Sequence, residues 1–199
     1  GDQEIFTRDE MVELFDLADI NHSASALNMG KLDWINQHYI KARPAEALVD
    51  ELTWQLRRLE IDAGTDREWL AAIVAAQQER AKTLLEMAEN SRFFFVAPDD
   101  YDPKAAKKHL TAEAGAVLEQ VTAALRELEH WNSESIHALV AGEAESAGLK
   151  LGKVAQPIRI AVSGGAVSPP IDQTLVILGR EETLARLEQA EKWITRQNA

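Results

Sequence analysis

The sequence predicts an all-α fold, and three observations carry that prediction. Apolar residues recur at spacings of three and four in one segment after another, the period of a helix face. Most of these segments open on a capping residue and close on Gly or Pro. No two stretches read as a convincing pair of alternating strands, so helices are expected to pack on helices.

The caps give the order of elements. In "TRDE", residues 7–10, Thr7 and Glu10 form a capping box, in which each side chain meets an orphan amide at the helix start. The helix that follows places Met11, Leu14, Phe15 and Leu17 with Ala18 on one apolar stripe. "NHSASALNMG", residues 21–30, interrupts the pattern. "KLDWINQHYIK" resumes it with Leu32, Ile35 and Tyr39, widened by Trp34 and Ile40. Pro44 disfavours helix at Arg43 and marks a boundary. From residue 44 to about 59, Leu48, Leu52, Leu56 and Leu59 share one side. Thr65 or Asp66 then caps a long helix through Trp69, Ile73, Ala76, Arg80, Leu84, Met87 and Ala88, with Glu68 favoured at its positive end.

"SRFFFVAPDDYDP", residues 91–103, is expected as a compact turn, because three adjacent Phe cannot all face one helical core. Pro103 suits the first turn of the next helix. Residues 111–128 turn Val117, Val121, Ala124, Leu125 and Leu128 inward. Asn132 or Ser133 caps another helix, which Gly142 or Gly148 ends. A last helix, residues 181 to about 196, uses Leu184, Leu187, Ala190 and Trp193 with Ile194.

"IRIAVSGGAVSPPID", residues 158–172, is unlike its surroundings. It is small, apolar and β-branched, then broken by Gly164-Gly165 and Ser168-Pro169-Pro170. Its residue types suit a strand, but Pro157 fits a first helical position and Gly164 the left-handed residue past a helix end. A short helix over residues 157–163 is therefore expected. The stretch lies in a window from Glu145 to Asp172 that holds no acid between its ends, while Lys150, Lys153 and Arg159 fall inside.

With 199 residues the chain can hold one large domain or two to three small ones. No apolar run approaches the ~20 residues of a membrane span, and no signal-peptide pattern opens the chain. It has no cysteine, which removes disulfides and thiolate metal sites and fits a cytoplasmic protein. It begins Gly1-Asp2-Gln3 rather than with Met, read as a fragment of a larger parent. The net charge of −12 argues against a generic nucleic-acid binder. That charge is uneven: −4 over residues 1–43, −7 over 44–102 and only −1 over 103–199. Two basic patches stand out, "PKAAKKHL" with Lys104, Lys107, Lys108 and His109, and the acid-free window. By residue type alone each patch also reads as a solvated face.

Nothing in the sequence makes a catalytic or metal site. Phosphate loops of the G-x-x-x-x-G-K and G-x-G-x-x-G types are missing. His130 and His137 lie seven apart on different segments, and His22, His38 and His109 are scattered. "SGG" lacks the context of a nucleophile elbow.

Three segments together resemble bacterial glutamyl-tRNA synthetases. "EIFTRDEMVELFDLADINHSASALNMGKLDWINQHYIK" is similar to the connecting segment after their catalytic domain. "ERAKTLLEMAENSRFFF" resembles a helix and turn of their anticodon-binding region, and "AGLKLGKVAQPIRIAVSGGAVSPPIDQTLVILGREETLARLEQA" resembles its last part. The likeness spans nearly the whole chain in the right order; the HIGH and KMSK-type ATP motifs are absent. The resemblance implies a multi-helix, all-α anticodon-binding region without its catalytic domain. Residues 1–43 would be a stem-contact-like connecting segment, 44–102 a first anticodon-binding helical subdomain and 103–199 a second. The parent would be a glutamate–tRNA ligase using ATP and Mg, while this fragment holds no cofactor and is inactive alone. The implied partners are glutamate tRNA and the missing amino-terminal catalytic domain. The expected state is a monomer without membrane contact.

The resemblance also implies site residues. Arg159 matches a base-contacting arginine, and Ser168, Pro169 and Ile171 match a loop that packs on and hydrogen-bonds to anticodon bases. Such splayed bases are the usual target of single-stranded RNA recognition. Arg80 matches the arginine that reads the third anticodon base, C in glutamate tRNA and G in glutamine tRNA. Guanidinium donors suit the acceptors on the pairing edge of C, whereas G presents donors there. Lys150, Lys153, Lys107 and Lys108 are phosphate contacts on charge grounds. Ala141 stands where some relatives carry a further arginine near the first anticodon base, which puts that contact in doubt. For Arg159 a cap or pairing role stays open, for Pro170 a turn, and for Arg80 an exposed helix charge paired with an acidic neighbour. Residues 93–95 are read as packing rather than base stacking. The competing reading of the whole chain is a helical protein–protein interaction module with no RNA role, suited to its acidity and amphipathic helices.

Overall fold

A computed structural model describes residues 3–20 and 26–197. Among them lie eleven α-helices and no strand, as the periodicity predicts. The interruption expected at residues 21–30 falls partly on 21–25, which with His22 lie outside the described residues.

The capping box of Thr7 and Glu10 forms and opens α1, Arg8–Leu14. The helix ends sooner than its stripe suggests, and the stripe finds no core: Leu14 is 62% exposed and Leu17 76%. Next is α2, Met29–Ala42, capped by Asn28 and closed before Pro44. A 3₁₀ turn, Ala45–Leu48, leads into α3, Val49–Arg58, where one continuous helix was expected. The turn uses Pro44 as its lead-in, and Ala47 N–H bonds back to Pro44 O.

The long helix expected from Asp66 is two. Asp66 caps α4, Arg67–Gln77, and Thr83 caps α5, Leu84–Phe95. Thr83 Oγ1 accepts the Glu86 amide at 3.0 Å while Glu86 Oε2 accepts the Lys82 amide at 2.8 Å. This reciprocal pair starts a new helix and leaves Arg80 in the turn between the two. Residues 93–95 end α5 instead of forming a turn. Phe93 and Phe94 are buried, and Phe95 stacks edge-on to Trp69 at 5.1 Å. All three pack on one hydrophobic cluster, Phe93 and Phe94 within it and Phe95 against its edge.

Pro103 opens α6, Pro103–His109, with Asp102 as its cap. Thr111 caps α7, Ala112–Glu127, and Asn132 caps α8, Ser133–Ser146. Helix α9, Leu151–Ser163, starts six residues before the expected point, so Pro157 lies in its interior. The missing Pro157 N–H leaves Lys153 C=O without its usual helical partner. The helix survives because it is a central strut, packed against α6, α7, α8 and α11. Ile158, Ile160, Ala161 and Val162 are all buried on it. Burial on every side makes a helix hydrophobic all round, which is why its sequence mimics a strand. Gly164 closes it in the left-handed conformation, as expected. Then come α10, Ile171–Leu178, and α11, Arg180–Gln197.

The helices build two cores. One gathers Ile40, Leu52, Leu56, Ile73, Met87 and Phe94 from α2 to α5. The other gathers Leu118, Leu125, Ile136, Ile158, Leu175 and Leu187 from α7 to α11. Burying one such Leu contributes about 1.5–3 kcal/mol. Helix α10 lies on the seam: Leu178 packs on both cores, and Trp69 Nε1 of α4 donates to Ile177 O at 2.7 Å.

Candidate nucleic-acid interface

The turn carrying Arg80 is fastened from behind by α2. Asn36 Nδ2 donates to Lys82 O at 2.6 Å, and Gln78 Nε2 donates to Ile40 O and Arg43 O at 3.0 and 2.8 Å. Lys41 pairs with Glu79 at 2.7 Å. These contacts hold the backbone of the turn and leave Arg80 exposed. Among the described residues the Arg80 side chain makes no hydrogen bond or ion pair, so it is not a helix charge paired with an acidic neighbour.

Across from that turn stands the loop between α9 and α10. Arg159, on the last turns of α9, donates from Nε to Ser168 Oγ at 2.9 Å and from Nη2 to Pro169 O at 3.4 Å. Ser168 Oγ is also 2.8 Å from Pro169 O, and Thr174 Oγ1 donates to that carbonyl at 3.2 Å. Ser168, Pro169 and Ile171 are therefore buried, with Ile171 the first residue of α10. The same loop turns Ala166, Val167 and Pro170 outward, and Val167 is 71% exposed.

The two sides meet over a cavity of about 320 Å³, lined by Gln77, Arg80, Glu86, Asn90, Val167 and Ser168. Burial first, and then the charge of Arg80, pushes the Arg159 guanidinium down from its ordinary value. Arginine stays protonated regardless. The two guanidiniums are thus close enough to feel each other, and Arg80 lines the cavity together with the carboxylate of Glu86. A second cleft of about 430 Å³ shares Asn90 and Val167 with the first and runs on past Arg92, Phe93, Pro98 and Gly164.

Fold brings together Arg80, Arg159, Ser168, Pro169 and, beneath them, Ile171. The four lysines are a separate group. Lys107 and Lys108 end α6, and Lys150 and Lys153 begin α9; all four are exposed. Lys108 and Lys153 both act on His109, whose pKa is pushed down by burial and then by those charges. Sequence reasoning missed Gln77, Glu86, Asn90 and Val167. The spacing Thr83-x-x-Glu86 is itself a helix-start signal and would have exposed the break that places them.

A family model described as an anticodon binding domain matches residues 43–191. The chain is 58% identical over 200 aligned positions to glutamate–tRNA ligase 1 of Alkalilimnicola ehrlichii, covering all of this chain and 42% of that protein. It is 48% identical to glutamate–tRNA ligase 2 of Halorhodospira halophila, again covering 42% of the relative. Among solved structures, a glutamate tRNA ligase from Elizabethkingia meningosepticum superposes with a TM-score of 0.86 at 29% identity, over 96% of this chain and 38% of that one. The glutamate-tRNA synthetase of Elizabethkingia anophelis gives 0.81, also at 29% identity, over 96% and 37%. The chain thus spans 42% of the length of these curated relatives.

Proposed function

The chain belongs to the anticodon binding domain family, and from that premise we propose that it reads the anticodon loop of glutamate tRNA for a glutamate–tRNA ligase. Attachment of glutamate, with ATP and Mg, is assigned to the rest of the parent, outside residues 1–199. Glu86, Glu89, Asp99 and Asp100 line the two clefts and fit a triphosphate poorly.

One observation carries the reading: Arg80, whose side chain makes no hydrogen bond or ion pair among the described residues, lines a cavity large enough for a single base, beside the loop that Arg159 anchors. Arg80 is the selector. Its donors meet the acceptors of C at the third anticodon position and are opposed by the donors of G. Arg159 acts partly through the loop, since it pins Ser168 and Pro169 and so sets where Val167 and Pro170 stand. Ser168, Pro169 and Ile171 form the base platform from beneath, and an unstacked base rests on their exposed neighbours. Lys107, Lys108, Lys150 and Lys153 meet backbone phosphate.

The proposed organisation follows the two cores, with residues 44–102 and 103–199 as the two anticodon-binding halves and 1–43 as a connecting segment. Phe6, Met11, Val12, Leu14 and Phe15 of that segment line an exposed apolar face, against which we place the catalytic part of the parent. The molecule is proposed to be a cytoplasmic monomer. No helix among the described residues is long and apolar enough to cross a membrane.

The test is binding to two anticodon stem-loops that differ only in the third anticodon base, C against G, at two salt concentrations. The expected result is a preference for C of roughly 5- to 100-fold, from about 1–3 kcal/mol per base-edge contact. Arg80→Ala abolishes the preference, and Lys107→Ala with Lys108→Ala lowers the salt slope without touching it. Equal binding of C and G by the unaltered chain removes Arg80 as the selector. Absence of RNA binding at low salt favours the protein-interaction reading.

A further inference from the structure

We infer that Arg186 is the positioning residue that sets the spacing between the two halves of the interface. Arg186 belongs to α11 and touches no part of the cavity, yet it is only 3% exposed. Its Nη1 donates to Phe93 O at 2.7 Å and to Val162 O at 2.5 Å. Nε is bound to Glu182 Oε1 at 2.6 Å, one turn earlier on the same helix.

The two carbonyls decide the role. Phe93 lies in the last turn of α5 and Val162 in the last turn of α9. Carbonyls in a last turn have no helical partner and concentrate the negative end of the helix dipole. Two such ends converge here, one from each core, and they repel unless a cation lies between them. Arginine suits that place because its planar fork aims the two N–H of one terminal nitrogen, Nη1, at both carbonyls while Nε stays on Glu182. Above this junction lies the second cleft, with Phe93, Arg92 and Asn90 on the α5 side and Ser163 and Gly164 on the α9 side. Asn90 also lines the Arg80 cavity. The bond from Arg186 to α9 fixes the point from which the Ser168 loop departs. The bond to α5 fixes the helix that carries Glu86 and Asn90. Glu182, half exposed, neutralises the guanidinium without joining either core.

The chain has no cysteine, so spin labels on Leu85→Cys and Ala166→Cys report the α5-to-loop distance alone. Both sites are exposed. Pulsed dipolar spectroscopy on the full 199-residue chain is expected to give one narrow distance. Arg186→Lys keeps the charge but not the fork, and the distribution broadens or splits; Arg186→Met broadens it further. Glu182→Gln, which leaves both carbonyl bonds in place, keeps it narrow. An unchanged narrow distance in folded Arg186→Lys, checked by far-UV circular dichroism, overturns the inference. So does failure of both Arg186 variants to fold, because the residue is then a core requirement. A second arm rests on the tRNA reading above: in Arg186→Lys the C-over-G preference falls at least about fivefold while the salt slope is unchanged, and a preference equal to that of the unaltered chain counts against the inference. If the distance broadens but no variant, nor the unaltered chain, binds RNA, the positioning role stands and the tRNA reading falls.

Discussion

Replacing Gly164 by Ala tests how the interface loop is held. Gly164 closes α9 at φ 77°, and a Cβ built there lies 3.0 Å from Pro98 Cβ and 3.4 Å from Asp100 O. Two costs add. Left-handed backbone costs an L-residue about 1–2 kcal/mol, offset by about 0.4–1 kcal/mol because Ala narrows the unfolded ensemble. Crowding against Pro98 adds about 1–3 kcal/mol. Pro98 does not yield freely, because Asp102 N–H bonds Gly164 O at 2.8 Å and Gln189 Nε2 bonds Pro98 O at 3.4 Å, tying the linker down on both sides. The expected loss is therefore about 2–4 kcal/mol. Gly148 is the reference. It adopts φ 63° with nothing within 4 Å, in a Schellman end where its own amide bonds Glu145 O and that of Leu149 bonds Ala144 O. Gly148→Ala is expected to cost about 1 kcal/mol, the conformational term alone. Urea unfolding followed by circular dichroism measures both variants, compared at unchanged slope. The Gly164 loss exceeds the Gly148 loss by at least about 1 kcal/mol. Equal losses within about 0.5 kcal/mol would refute the claim that Pro98 locks the loop.

Three further outcomes are expected. Glu60 occupies the left-handed position at φ 59° after α3, with its amide on Arg57 O and that of Ile61 on Leu56 O. Glu60→Gly therefore raises the stability by about 0.5–1 kcal/mol in the same urea assay. Glu191 is pushed up from 4.5, chiefly by burial, beside a Thr122 hydroxyl that also faces Leu118 O. Its folded pKa lies above its unfolded one, so the folded state binds more protons and stability falls as pH rises from about 4.5 through the raised value. Glu191→Gln flattens that part of the pH–stability curve; an unchanged curve refutes the shift. Burial, and then Asp100, push the Tyr101 phenol up to about 12. The same sign applies, with stability lost as pH rises from 10 toward 12. In a Tyr39→Phe background, absorbance at about 295 nm should show no phenolate near pH 10 while the helical signal persists.

Most helices are legible in the sequence because their signals are local. Thr7 with Glu10, Asp66, Asp102 before Pro103, Thr111 and Asn132 each satisfy their own helix start within three residues. Misreadings occur where neighbours decide. Helix α9 looked short and strand-like because contacts on all sides make it apolar all round, and those same contacts carry Pro157 through its middle. Three adjacent Phe suggest a turn, yet one core takes all three at the end of α5, with Phe93 and Phe94 buried in it and Phe95 edge-on to Trp69. The apolar stripe of α1 lies exposed, since periodicity reveals a face and not what covers it.

By itself the sequence determined the all-helical class and the order of most of the helices. Those follow from backbone capping and side-chain periodicity, which act over a few residues. Only tertiary structure decided that Arg80 sits in a turn, its side chain unpaired among the described residues and facing the loop that Arg159 anchors, and that Ser168 faces inward while Val167 faces out. It also decided that Arg186, on the buried stripe of an amphipathic helix with Leu187 and Ala190, joins the ends of α5 and α9. The physical reason is separation along the chain. Phe93 and Arg186 are 93 residues apart, and nothing in either segment states that their helices will meet.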